Sequence, residues 1–207
     1  MFDFGGLFGI SKRDISNDIK EYDPKVQSDY DKRFVSEITE WLSSVIEKIN
    51  DDGVYALAVS YQLGGDENDE WGPDFSFAYN TEQYFERMKS NPGLQARWNF
   101  INWKEEYIGG LDNAAVKRWL AGNNWTFDEY ADEDTIEDLA YDILVLAVTE
   151  LHKSSVIKNH FGKELPVVIH GMEYYDKTAV MSVKANGAGL LDKEFFDICG
   201  CNVPEIK

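Results

Sequence analysis

Residues 166–183 read PVVIHGMEYYDKTAVMSV. Positions 166–170 and 178–183 are short runs rich in β-branched residues, separated by the loop GMEYYDK, so the stretch predicts two strands forming a hairpin. An earlier stretch repeats the pattern. VYALAVSY at 54–61 has the β-branched and aromatic content of a strand packed in a sheet, and 74–79 alternates Phe75 and Phe77 on one face with Asp74, Ser76 and Ala78 on the other. Gly64 and Gly65 read as the turn between those two strands.

Helical spacing governs most of the remaining chain. Over 28–50, Phe34, Val35, Ile38, Trp41, Leu42, Val45, Ile46 and Ile49 recur at three- and four-residue steps, the pattern of an amphipathic helix. Asn80 or Thr81, followed by Glu82 and Gln83, reads as the N-cap of a helix that keeps Tyr84, Phe85 and Met88 on its apolar side and stops near Asn91, Pro92 and Gly93. The segment 97–107, RWNFINWKEEY, predicts a turn or short helix lying against the core, and 111–121 predicts another short helix. From 134 to 153, Ile136, Leu139, Ala140, Ile143, Leu144, Ala147, Val148 and Leu151 fall at helical spacing, with acids in the first turns where the helix dipole favours them. A short helix at 192–199 closes the chain. Residues 1–27 show no clear period and read as a loosely held arm with a short helix near 12–21, leaving 28–207 as a single domain. The sum is an α+β fold: an antiparallel sheet of about four strands in two hairpins, with helices packed mainly on one face.

Composition narrows the function. A chain of 207 residues that is 43% hydrophobic and 14% aromatic buries a sizeable core as one domain. No apolar run approaches the roughly 20 residues of a membrane span, and MFDFGGLFGISKRD lacks the basic-then-apolar order of a secretion signal, so the expected location is the cytoplasm. The net charge of −18 argues against nucleic acid or an anionic membrane as partner. Its excess sits in two places: residues 49–86 and residues 119–152 each carry nine acids and no Lys or Arg, while the rest of the chain has 20 charges of each sign. Side by side, the two segments generate a negative field that attracts a cationic partner.

Specific chemical motifs fare less well. Counted from Asp66, an EF-hand loop requires glycine at its sixth position and glutamate at its twelfth, and the chain has Trp71 and Phe77. A looser divalent-cation site from Asp66, Asp69 and Glu70 competes with a solvated hairpin tip whose charges discourage edge association. The acids at 128–138 offer a carboxylate pair for acid and base work, or ordinary partners of a helix N-terminus. His152, His160 and His170 have no metal-ligand spacing, and Cys199 and Cys201 form neither a C-x-x-C pair nor a disulfide framework. Asn124, Trp125 and Thr126 match a glycosylation sequon by chance in a chain without a secretion signal. Trp71 and Trp125 flank the acidic segments as interface anchors or as caps over the core.

The order of a long first helix, YALAVSY, FAYNTEQYF, RWNFINW and FGKELPVVIHGMEYYDKTAVMSVKANG resembles a bacterial family catalogued as a domain of unknown function. Tyr55 to Leu57, Asn80 to Glu82, and Trp98, Asn99 and Trp103 carry the resemblance, which spans about residues 28–190. In size, acidity and lack of catalytic motifs, members of that family resemble the immunity proteins that neutralise bacterial toxins. The resemblance implies a non-enzymatic protein-binding module, without cofactor or metal, whose partner is a basic protein such as a cognate toxin. The partner-binding residues expected on this reading are Asp66, Glu67, Asp69, Glu70 and Trp71 in the first hairpin, and Asp128, Glu129, Asp132, Glu133 and Asp134 in the second acidic block. The competing expectations are a small hydrolase using carboxylates or a metal held by the histidines, and a structural or regulatory subunit.

Overall fold

In a computed structural model the chain is described at residues 12–65, 71–90, 97–100, 103–104, 110–125, 133–171 and 175–205. The first long helix, α2 (Asp29–Ile46), follows a short α1 (Ser16–Glu21) and starts where the sequence provides a capping box. Ser28 Oγ accepts the Asp31 N–H, and the Asp31 carboxylate accepts the Ser28 N–H, each at 3.0 Å. The same buried carboxylate accepts the Trp119 indole N–H and an Asn123 amide N–H, each at 2.9 Å. Burial alone would raise the Asp31 carboxyl, yet these hydrogen bonds from Ser28, Trp119 and Asn123 hold it below the usual carboxylate range. One charged side chain thereby caps α2 and ties it to α4 (Asn113–Gly122), where the Trp119 ring stacks on Phe34 at 4.6 Å.

The sheet has three strands in the order β2–β1–β3. β1 (Val54–Gly65) and β2 (Trp71–Thr81) pair antiparallel, with Gly64 opposite Gly72 and Gly65 opposite Trp71. The two glycines therefore continue the ladder instead of forming the turn. Thr81 ends β2 and caps α3 (Glu82–Met88), its hydroxyl accepting the Tyr84 N–H at 3.2 Å. From there the chain passes through α4, α5 (Glu133–Lys153) and α6 (Val156–Phe161) before β3 (Val167–His170) joins β1 in parallel register, Leu57 opposite Val167 and Ser60 opposite His170.

Residues 178–183 are not a fourth strand. They form the middle of α7 (Asp176–Asn186), so the expected second hairpin is absent and the sheet is mixed. Every residue from Thr178 to Val183 is buried, which erases the helical period that solvent exposure imposes on a surface helix. α7 instead closes the open edge of β3. Asn186 Oδ1 accepts the Val167 N–H at 2.7 Å, Asn186 Nδ2 donates to the Val167 carbonyl at 2.8 Å, and Ser182 Oγ accepts the Ile169 N–H at 3.0 Å. Side chains one helical turn apart thus stand in for the missing strand.

Helices cover both faces of the sheet, a second departure from the sequence-based expectation. On one face Leu57, Val59, Tyr61, Phe75, Phe77, Val167 and Ile169 pack with α2, α4, α5 and α6. On the other the small residues Ala56, Ala58 and Ala78 admit Trp98, Trp103, Phe195 and Phe196, with α1, α7 and α8 (Lys193–Ile198) around them. A bulge between Val54 and Ala56 turns Tyr55 to this second face, where its hydroxyl donates to the Arg97 carbonyl at 2.6 Å. The two ends of the described chain meet here. Arg13 bridges Cys201 through the Arg13 N–H to Gly200 carbonyl and Asn202 N–H to Arg13 carbonyl bonds, at 3.1 and 2.9 Å, and Ile15 and Ile19 are buried beneath. Tyr22 donates to Asp142 of α5 at 2.6 Å. No helix among the described residues is long and apolar enough to cross a membrane.

Asn186→Ala removes the clamp on Val167 and leaves a buried N–H and C=O without their partner. Each such group costs about 1–3 kcal/mol, so urea unfolding is expected to show a loss of about 2–6 kcal/mol, against under about 1 kcal/mol for an exposed change such as Lys158→Ala.

Candidate functional site

Parallel pairing brings the carboxyl ends of β1 and β3 together, the place where ligands bind in open sheets with parallel strands. A cleft of about 460 Å³ opens there, within the range of ordinary ligand sites. β1 supplies Tyr61, Gln62 and Leu63, and the residue after β3 is Gly171. The early turns of α5 add Glu137 and Tyr141, and the start of α7 adds Tyr175 and Lys177.

Tyr141 forms the floor. Its ring meets Tyr61 edge to face at 5.6 Å, and the Lys177 ammonium lies 4.7 Å from the ring centroid while bonding Asp138 at 2.6 Å. Burial, reinforced by the carboxylate of Glu137, holds the Tyr141 hydroxyl above the ordinary tyrosine range, so it remains a neutral phenol. Gly171 makes this placement possible: a Cβ there would sit 2.5 Å from the Tyr141 hydroxyl. At the rim Tyr175 is 57% exposed.

Behind the strand ends lies a polar row. Ser76, Ser60 and His170 occupy neighbouring positions across β2, β1 and β3, and all are buried. The two serine hydroxyls are 2.6 Å apart, His170 Nδ1 donates to the Gly171 carbonyl at 2.5 Å, and the imidazole stacks on Phe100 at 3.9 Å. Burial pushes His170 down to about 4, so at neutral pH the ring is uncharged with its proton on Nδ1.

The residues singled out in the sequence are described only in part. Asp66, Glu67, Asp69, Glu70, Asp128, Glu129 and Asp132 lie outside the described residues, while Trp71, Glu133 and Asp134 are placed in β2 and α5 by their backbone. The three histidines are dispersed: His152 bonds Glu164 and Asn186, His160 bonds the Ile49 carbonyl, and His170 lies under Phe100. No group of three metal-ligating side chains occurs among the described residues. Cys199 and Cys201 are free and buried, and burial pushes both thiols up, away from reactivity. Trp125 packs edge to face on Trp119 at 5.5 Å, as a cap on the core. The tyrosine cleft went unmarked in the sequence because Tyr61, Tyr141 and Tyr175 each read locally as core or loop, and only the crossover to β3 unites them.

A family model described as "Domain of unknown function (DUF4303)" matches residues 34–185. No curated protein and no solved structure matches the chain.

Two substitutions probe the strand ends. Gly171→Ala is expected to push the Tyr141 ring from its seat and to destabilise by about 1–3 kcal/mol, the range for an overpacked core, seen as a lower urea midpoint and changed tyrosine near-UV circular dichroism. For His170, the unfolded chain binds a proton near pH 6.5 that the fold refuses until about pH 4, so stability present above 6.5 is lost as pH falls through that window. At about 1.4 kcal/mol per unit, about 3 kcal/mol separates pH 7 from pH 4.5. The same comparison on His170→Gln is expected to lack this component.

Proposed function

The chain belongs to the DUF4303 family, and we propose that it is a non-enzymatic, acidic protein-binding module acting in the cytoplasm, an immunity protein for a basic cognate toxin. The observation that supports this reading is where described residues close in sequence to the two acidic segments sit. Leu63, three residues before Asp66, and Glu137, three residues after Asp134, line the same cleft. Described residues close in sequence to both acidic segments thus line one cleft, which supports a reading in which the acids at 66–70 and 128–134 act on a single cationic partner. A toxin that acts on nucleic acid carries a basic surface for its substrate, and an acidic protein blocks that surface by occupying it.

Tagged protein and a variant with Asp66, Glu67, Asp69, Glu70, Asp128, Glu129, Asp132, Glu133 and Asp134 changed to Asn or Gln are to be used for capture from the source organism at low and moderate salt. A single basic protein retained by the native chain, released by salt and missed by the equally folded variant is the expected result. With that partner purified, association is expected to slow by about 10- to 1,000-fold at low salt in the variant. Equal retention and equal kinetics for the two proteins would remove the acidic segments from the partner site.

A further inference from the structure

Within the partner-binding reading, on which this step rests, the tyrosine cleft has a chemistry of its own. Lys177 already places a cation over the face of Tyr141 and against the Asp138 carboxylate, 4.7 Å from the ring centroid and 2.6 Å from the oxygen. The arrangement is a cation site filled by the chain itself. The side chains of that pair are 46% and 73% exposed, so the bridge is of the weak, water-screened kind and exchanges readily with a competing cation. Glu137 adds a second carboxylate to the wall, while Tyr175 stands at the rim beside Lys177. The start of α7 would on its own favour an anion, but Asp176 occupies its first turn, and Glu137 of α5 lines the same cleft.

We propose that the cleft lined by Tyr141, Tyr175 and Glu137 receives one arginine side chain from an extended segment of the basic partner, with Lys177, now paired to Asp138, as the internal occupant that it displaces. Arginine suits the site better than lysine. Its planar guanidinium lies flat on an aromatic face while its N–H groups reach a carboxylate in the same plane, which a tetrahedral ammonium cannot do. A cavity of about 460 Å³ accommodates such a side chain together with its flanking backbone.

The test needs no knowledge of the partner. The probe is the blocked tripeptide Ac-Gly-Arg-Gly-NH2, titrated into the ¹⁵N-labelled full chain, with Ac-Gly-Gln-Gly-NH2 and Ac-Gly-Glu-Gly-NH2 as controls. Saturable shifts at Tyr61, Tyr141, Gly171 and Tyr175 are expected for the arginine peptide alone. Tyr175→Ala is expected to weaken this binding by about threefold to thirtyfold, the range of a cation–π contact. Lys177→Gln is expected to tighten it, because the internal competitor is gone. Equal shifts with the glutamine peptide, shifts confined to other surfaces, or weaker binding in Lys177→Gln would each overturn the proposal. Its fate is separable from that of the partner reading: a captured basic protein that binds Tyr175→Ala and Lys177→Gln as it binds the native chain leaves the acidic segments standing and removes the cleft. Arginine-specific binding in the cleft with no basic protein captured does the reverse.

Discussion

A three-stranded sheet buried on both faces cannot leave its third strand open, and the hydrogen bonds that α7 extends to β3 are the constraint on which the remaining architecture rests. The outward N–H groups of Val167 and Ile169 are withdrawn from water by the helices packed above and below. A fourth strand would satisfy them with its backbone. Here Asn186 and Ser182 do so with side chains, and the Asn186 amide also meets His152 at the end of α5 and the Ser182 carbonyl one turn earlier. Helix, strand and the longest helix of the fold are locked by one amide whose donors and acceptor are all in use.

That edge determines where the cleft lies. Because α7 must run beside β3 with Ser182 and Asn186 facing the strand, its first turn is carried past the strand end, bringing Tyr175 and Lys177 over Gly171. α5, packed against α2 and α7 and touching β1 and β3, delivers Tyr141 and Glu137 from its early turns to the same point. The grouping of aromatic rings and carboxylates at one end of the sheet thus follows from closing the sheet at its side.

What could be read from residues alone divides along the range of the interactions. α2 was legible from its apolar spacing, and Ser28 with Asp31 gives its start; the β1–β2 pairing was legible because consecutive strands with matched alternation pair locally. Thr81 was visible as a cap for the same reason. By contrast, TAVMSV carries strand-forming residues in a helix, since a segment buried on every side shows no period for either structure and local propensity is then overridden by packing. The parallel placement of β3 depends on a partner more than a hundred residues away and leaves no mark in its own sequence. The bulge at Tyr55 reverses the facing of one residue without altering the composition of the strand. The uneven distribution of acids along the chain was readable, whereas the meeting of three tyrosines at the cleft was not.

The bridge between Arg13 and Cys201 has a bearing on what counts as the unit of this fold. The family match runs from 34 to 185, yet the second face of the sheet is roofed by Ile15 and Ile19 from before it and by Leu191, Phe195, Phe196 and Cys201 from after it. Ala56, Ala58 and Ala78 bring no bulk of their own to that surface, and its apolar cover is shared between Trp98, Trp103 and α7 from within the match and these flanking pieces. The matched segment is therefore a partly clad scaffold: one side is covered from within it, and the other is finished by sequence on either side of the match.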